Sequence, residues 1–288
     1  MLSCAEDRCA HRGAALCIGK LQGECIQCPF HGIQYDTEGK GTFVPALGKS
    51  SAADLGRFHL IFHRTKEEFG IIYLWFGEGE PDKAIPFFRD ELDGSVVYSE
   101  LEDCWNAFYS RCVENQLDVI HLPFVHYNTI GRGNKTLVNG PKVLFEHETI
   151  ITSANNEVDR GQTPKTAEES VIRETYLKFI FPNLWMNHIS EKFRVVIFFA
   201  PVDESRTVLY IRFYSSLSRF KCINRIIAIF GRIGNRIIER QDRRVVITQK
   251  LKVSEYHSNE KLLPGDRPVI LYRRLRDELK QQNAAAGS

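Results

Sequence analysis

Cys9-Ala10-His11-Arg12-Gly13 and Cys28-Pro29-Phe30-His31-Gly32, near the start of the chain, each set one thiol beside one imidazole. Each pair is tight enough to occupy one loop tip, and the sixteen residues between His11 and Cys28 allow a hairpin between the tips. Gly13, Pro29 and Gly32 supply the turn chemistry. Two thiolates and two neutral imidazoles suit a mixed-ligand [2Fe-2S] cluster, in which imidazoles replace the thiolates on one iron, remove negative charge and raise the reduction potential. Zinc is the rival, because mixed Cys/His ligands also close tetrahedral sites, and Cys4, Cys17 and Cys25 offer spare thiols. Zinc sites, however, usually repeat a C-x2-C or H-x3-5-H spacing, whereas here each half contributes one Cys and one His.

A second constellation runs Glu114-Asn115-Gln116-Leu117-Asp118-Val119-Ile120-His121-Leu122-Pro123-Phe124-Val125-His126. Spacing of three puts Asp118 and His121 on one helical face, while Pro123 disfavours simple continuation and lets His126 approach from the next turn. Two imidazoles and one carboxylate leave open positions on ferrous iron for dioxygen and substrate, so a third, acidic ligand is required. Asp242 is the candidate. From about Arg219 to Leu251, Ile226, Ile227, Phe230, Ile233, Ile237, Ile238, Val245 and Val246 repeat at three and four, the period of a helix. Asp242 falls on that stripe, and a lone carboxylate facing a core is costly unless a cation or metal compensates it. The alternative is pairing with Arg243 or Arg244, with Glu239 competing for the same cations.

These two motifs together resemble those of the Rieske non-haem iron oxygenases, and Gln241-Asp242-Arg243-Arg244-Val245-Val246-Ile247 is similar to the family segment that delivers the carboxylate ligand. The likeness is nearest to the type that includes vanillate O-demethylases, toluenesulfonate methyl monooxygenases and saxitoxin-pathway hydroxylases. It implies an α+β chain: a small all-β Rieske domain over 1–90, a helix-grip catalytic domain over 91–280 with a curved antiparallel sheet and a long C-terminal helix, and a disordered tail over 281–288. It implies a [2Fe-2S] cluster on Cys9, His11, Cys28 and His31, and Fe(II) on His121, His126 and Asp242. Asp118 matches the aspartate that bridges to a cluster histidine of a neighbouring subunit, with His31 its partner; this makes the chain a homo-oligomer, a trimer. Asn115 matches a position near the iron that holds a water or the bridge. Monohydroxylation or oxidative demethylation of a small organic substrate with O2, driven by a flavin reductase or ferredoxin, is favoured over ring dihydroxylation. Two departures stand out. Ile33 replaces a frequent aromatic residue, which bears on packing beneath the cluster. The chain also begins almost on the first ligand loop, so the β domain is expected to be incomplete at its amino end. A Rieske electron carrier with a ligand-binding cavity is the other reading, and it leaves the second His pair and Asp242 unexplained.

Composition agrees with an enzyme. The 38 basic and 36 acidic residues give a net charge of +2, which implies no nucleic acid partner. The longest apolar run, 195–202, is far short of the roughly 20 residues a membrane span needs, and Met1 is not followed by a charged then apolar leader; a cytoplasmic protein is expected. Eight cysteines scattered without a paired framework fit a reducing compartment, and Cys104, Cys112 and Cys222 read as buried apolar fillers. Strand patterns cover 58–62, 71–76, 142–152, 170–181, 193–200 and 207–214. The polar, breaker-rich 153–169 is a loop long enough for a lid. Phe179, Phe181, Trp185, His188 and Phe198 are candidates either for cavity lining or for sheet core.

Overall fold

The computed structural model describes residues 2–49, 54–75, 81, 84–92 and 96–286. The chain divides into two compact units, Met1–Ile85 and Pro86–Ser288. The division comes earlier than residue 90 because Phe88 and Leu92 are buried in the second unit, where Glu91 also pairs with Lys178 at 2.6 Å.

The first unit is all β. Strands β1 (Cys4–Ala5), β2 (Lys20–Gln22), β3 (Cys25–Gln27), β4 (Gln34–Tyr35), β5 (Gly41–Phe43), β6 (Phe62–Glu68) and β7 (Ile71–Trp75) form two antiparallel sheets, β2-β3-β4-β5 and β1-β6-β7. The 58–62 pattern becomes strand only at Phe62, where β6 begins, although His59 bridges to Lys40. Phe76 lies outside the described residues. Cys9, Leu16, Cys28, Ile33, Tyr35 and Leu60 form the core. Two prospective metal ligands thus belong to the apolar centre of this unit, and Ile33 is buried in the same cluster.

The second unit contains β8 (Val97–Trp105), α1 (Tyr109–Leu117), α2 (Leu122–Val125), β9 (Leu137–Val138), β10 (Val143–Glu146), β11 (Thr149–Thr152), β12 (Asn156–Glu157), β13 (Tyr176–Ile180), β14 (Leu184–Ser190), β15 (Phe193–Pro201), β16 (Thr207–Ser215), α3 (Lys221–Val246) and α4 (Arg267–Ala286). Seven strands pair antiparallel in the order β10-β11-β13-β14-β15-β16-β8, so β8 closes the sheet by lying beside the last strand. The 142–152 pattern is a hairpin: Glu146 pairs with Thr149, and His147 and Glu148 take positive φ values of 47° and 60°, as a two-residue turn matching strand twist requires. The 153–169 stretch is pinned, since β12 within it pairs with β9 and Asn156 Nδ2 donates to the Val119 carbonyl at 3.0 Å.

Helix α3 packs on β8 and β16, which makes it the gripped helix of the arrangement. Its orientation corrects the periodicity argument. The buried residues are Asn224, Ala228, Asn235, Glu239, Asp242 and Val246, whereas Ile226, Phe230, Ile233, Ile237 and Val245 are exposed. Asp242 does face inward, but on a polar face. A repeat of three and four reveals that a helix has a stripe, not which side the fold covers.

Helix α4 was not expected. It runs to Ala286, so most of the stretch assigned to a disordered tail is helical; Ala284-Ala285-Ala286 has the highest helix propensity and no breaker precedes Gly287. The helix is tied to α1 by buried charges. Glu114 accepts hydrogen bonds from Arg273 at 2.8 and 2.9 Å and from Arg111 at 3.0 Å, and Glu260 joins both arginines at 2.8 and 2.7 Å. Phe179, Phe181 and Trp185 belong to the sheet core with Trp105, Phe199, Ile211 and Tyr272. Cys112 is buried, but Cys104 and Cys222 are exposed, because their strand and helix positions face outward.

Candidate metal centres

The first centre is built by two loops of the same design. In each, the cysteine carbonyl accepts from a glycine four residues on (Gly13 at 2.9 Å, Gly32 at 3.1 Å), and the cysteine N–H donates to the next carbonyl, of Ala14 or Ile33, at 2.8 Å. Both glycines have φ above 70°, a region where a β-carbon is strained. At Gly32 a β-carbon would also meet Pro45 Cγ at 2.9 Å. The loops bury Cys9 and Cys28 and leave His11 and His31 exposed at the tips, with ring centroids 4.7 Å apart. Phe30 packs against His31 in a tilted arrangement with centroids at 3.9 Å, and Arg12 lies over Phe30.

Sequence reasoning missed Tyr35. Its hydroxyl lies 3.1 Å from Cys9 Sγ. Burial opposes ionisation of Cys9, but hydrogen bonds from Tyr35, the His11 and Arg12 N–H groups and Cys28 outweigh it and hold the thiol below its ordinary pKa. Burial, together with Cys9, pushes the Tyr35 phenol up, so Tyr35 is a donor. The pocket already favours a thiolate at Cys9.

The second centre lies where α1 ends. The stretch 114–126 is not one helix: Asp118 leaves the helical region at ψ 129° and ends α1, and α2 starts after His121. Asp118 Oδ1 accepts the Ile120 N–H at 2.6 Å, a local bond of the kind that diverts backbone from helix. Asp118 and His121 therefore share a turn rather than a helical face, with Asp118 Oδ2 3.4 Å from His121 Nδ1.

The structure brings His121 and His126 against Asp242. One ligand atom from each of the three lies within 4.8 Å of the others, and Asp242 Oδ1 is 3.5 Å from His121 Nε2 and 3.0 Å from His126 Nε2. Asp242 is 2% exposed and His126 1%. Arg243 is engaged elsewhere, with Asp103 at 2.6 Å; among the described residues Asp242 pairs with the two histidines. Burial disfavours the His126 imidazolium, yet the Asp242 carboxylate and then Gln241 raise its pKa. Asp242 Oδ1 and His121 Nδ1 are buried without a good hydrogen bond, as is Asn115 Nδ2. Buried polar atoms are seldom left so, and converging lone pairs around an under-satisfied carboxylate fit a divalent metal.

Gln241 is the other residue the sequence did not flag. Its Oε1 is 2.8 Å from His126 Nδ1 and accepts from Thr129 Oγ1 at 2.9 Å, while its Nε2 donates to Asn128 Oδ1 at 2.8 Å. One turn earlier on α3, Glu239 is buried: burial first, then Asp242 and Asp103, push its carboxyl well above the usual range, which favours its protonated form. His188, once a lining candidate, is satisfied by the Glu174 carbonyl at 2.9 Å and stacks on Tyr176.

Residues 1–59 match the family profile of the Rieske [2Fe-2S] domain, and residues 105–282 match that of the vanillate O-demethylase oxygenase C-terminal domain. Chlorophyllide a oxygenase of Chlamydomonas reinhardtii is 30% identical over 131 residues, 46% of this chain and 20% of that protein. Methylxanthine N1-demethylase NdmA of Pseudomonas putida is 34% identical over 128 residues, 43% of this chain and 35% of that protein. The chain thus spans about a third or less of the length of these curated relatives. The solved structure of NdmA from Pseudomonas putida CBB5 shares the fold, with a TM-score of 0.78 at 22% identity over 98% of this chain and 79% of its own. Both donor sets fit what these matches imply, a [2Fe-2S] cluster and a mononuclear iron.

Proposed function

The chain belongs to the vanillate O-demethylase oxygenase family and carries a Rieske domain, and on that footing we propose that it is the oxygenase component of a system that hydroxylates or oxidatively demethylates a small organic substrate. The overall change inserts one oxygen of O2 into a C–H bond and reduces the other to water with two electrons and two protons from an external reductase or ferredoxin. The observation that carries this reading is the meeting of His121, His126 and Asp242 around one point, with a buried carboxylate oxygen lacking any other partner. A plain electron carrier would leave that arrangement without purpose.

When bound, the cluster supplies single electrons, and the iron supplies open coordination positions for oxygen chemistry. The residues do the rest. The buried Cys9 and Cys28 and the exposed His11 and His31 would hold the cluster. His121, His126 and Asp242 would hold the iron, and Gln241 fixes the His126 ring. Asp118, whose Oδ2 lies beside His121, is placed to accept a hydrogen bond from His31 of the partner subunit in a trimer, and a carboxylate between two metal-bound imidazoles orients both rings. Asn115 contributes an amide for a water or for that bridge. Relatives named as demethylases and monooxygenases support a methyl-bearing aromatic or heteroaromatic substrate. Among the described residues no helix is long and apolar enough to cross a membrane.

The test is His121→Ala with metal analysis, electron paramagnetic resonance and product assay. The cluster signal is expected to persist while mononuclear iron and oxygenated product are lost. Product formation in that variant overturns the proposal.

A further inference from the structure

Helix α3 carries two faces with opposite duties. Inward lie Asn224, Asn235, Glu239 and Asp242. Outward lie Ile223, Ile226, Phe230, Ile233 and Ile237, spaced three, four, three and four apart, so that they form one continuous apolar seam about 21 Å long at 1.5 Å per residue. Phe230, at its middle, is 69% exposed. Large contiguous apolar patches on a protein surface mark interaction sites.

The charges beside the seam are of one sign. Lys221, Arg225, Arg236, Arg240 and Arg244 are exposed on the same helix. The two carboxylates of α3, Glu239 and Asp242, are buried, and no acidic residue occurs between Ser205 and Ile238. A shallow groove of about 310 Å³ lined by Ile237, Arg240, Gln241 and Arg244 opens at one end of this face, with two guanidinium groups to receive one anion.

We infer that the outer face of α3 docks the protein on an anionic lipid surface, with Ile223, Ile226, Phe230, Ile233 and Ile237 entering the headgroup boundary and the flanking arginines pairing with phosphates. Charge complementarity selects this occupant. An isologous pair of copies meeting through this helix would set arginine against arginine, and the heterologous contact proposed for the trimer runs instead through Asp118 and His31. The seam also has no polar side chain of its own, whereas protein partners make about one hydrogen bond per 100–200 Å². A basic amphipathic helix with an isoleucine and phenylalanine face lies in a membrane interface without crossing it, and long arginine stems let the charge remain at the headgroups while the helix sinks.

Co-sedimentation of the whole protein with phosphatidylglycerol-containing and with pure phosphatidylcholine vesicles tests this. Binding to the first and not the second is expected, falling as salt is raised. Arg236→Gln with Arg240→Gln is expected to weaken binding about thirtyfold, because each basic residue near an anionic surface contributes about a factor of five. Phe230→Gln, at an exposed position, is expected to weaken it as well. Equal binding to both vesicle types, or to neither, overturns the inference. So does a Phe230→Gln variant that changes oligomeric state while binding vesicles as before, which would assign the face to contacts between copies.

Discussion

Gln241 Oε1 lies 2.8 Å from His126 Nδ1, one residue before the carboxylate that faces the other side of the same ring. The bond requires His126 to carry its proton on Nδ1, which leaves the Nε2 lone pair for a metal beside Asp242. Oxygen Oε1 also accepts from Thr129, and Nε2 reaches Asn128, so the amide is held at both ends. Outer-shell partners of this kind typically change metal affinity 10–100-fold.

Gln241→Ala is therefore expected to weaken Fe(II) or Co(II) binding by roughly tenfold to a hundredfold while the cluster spectrum stays unchanged. Gln241→Glu is expected to retain binding, since the carboxylate still accepts from Nδ1. Titration of the iron-depleted protein with either metal checks both, and unchanged affinity in the alanine variant would remove Gln241 from this role.

At the cluster, the Tyr35 hydroxyl bonds the Cys9 sulfur. Hydrogen bonds to cluster sulfurs stabilise the more negative, reduced state and raise the potential. Tyr35→Phe keeps the ring in the core and removes the donor, so a fall of tens of millivolts, on the order of one lost hydrogen bond, is expected by redox titration. A potential equal to that of wild type would contradict the donor assignment.

The Arg111–Glu114–Arg273–Glu260 network holds α1 against α4. Removing one partner leaves an uncompensated buried charge, which costs about 3–5 kcal/mol. Arg273→Ala is thus expected to lower the unfolding midpoint markedly and, because α1 leads into Asp118 and His121, to reduce iron retention at temperatures well below it. A variant with wild-type stability would mean that Glu114 finds another cation.

Glu239 gives a pH dependence. Its folded pKa is raised, so the folded protein keeps a proton that the unfolded chain releases above about pH 4.3. The stability linked to this group is fully present below that value and is lost as pH rises, at about 1.4 kcal/mol per unit, until the folded pKa is passed. In the iron-free protein, Glu239→Gln should flatten the fall of stability as pH rises above about 4.3. Denaturant unfolding at a series of pH values measures it, and parallel curves for the two proteins would place the carboxyl in contact with solvent.

The local chemistry of both centres was legible because it is carried by short spacings. Cys9 with His11, Cys28 with His31, and His121 with His126 sit on single turns, where a few residues fix which side chains meet. The strands β15 and β16 were legible for the same reason, each being a run of alternating or continuous β-formers. Asp242 was readable as a needed acid on a helix, yet the reason for its burial was not, because periodicity places a stripe without stating which side faces the sheet. Folding turned Asn235, Glu239 and Asp242 inward and left Phe230 and Ile233 outside. The break of the 114–126 helix at Asp118, the helix α4 and its charge lock on α1, and the Tyr35–Cys9 and Gln241–His126 bonds all arise between residues distant in sequence or from competition between local bonds. The candidate ligands were a property of the sequence; the protonation, orientation and support of those side chains came from groups 26 and 115 residues away, which only the closed fold brings within a hydrogen bond.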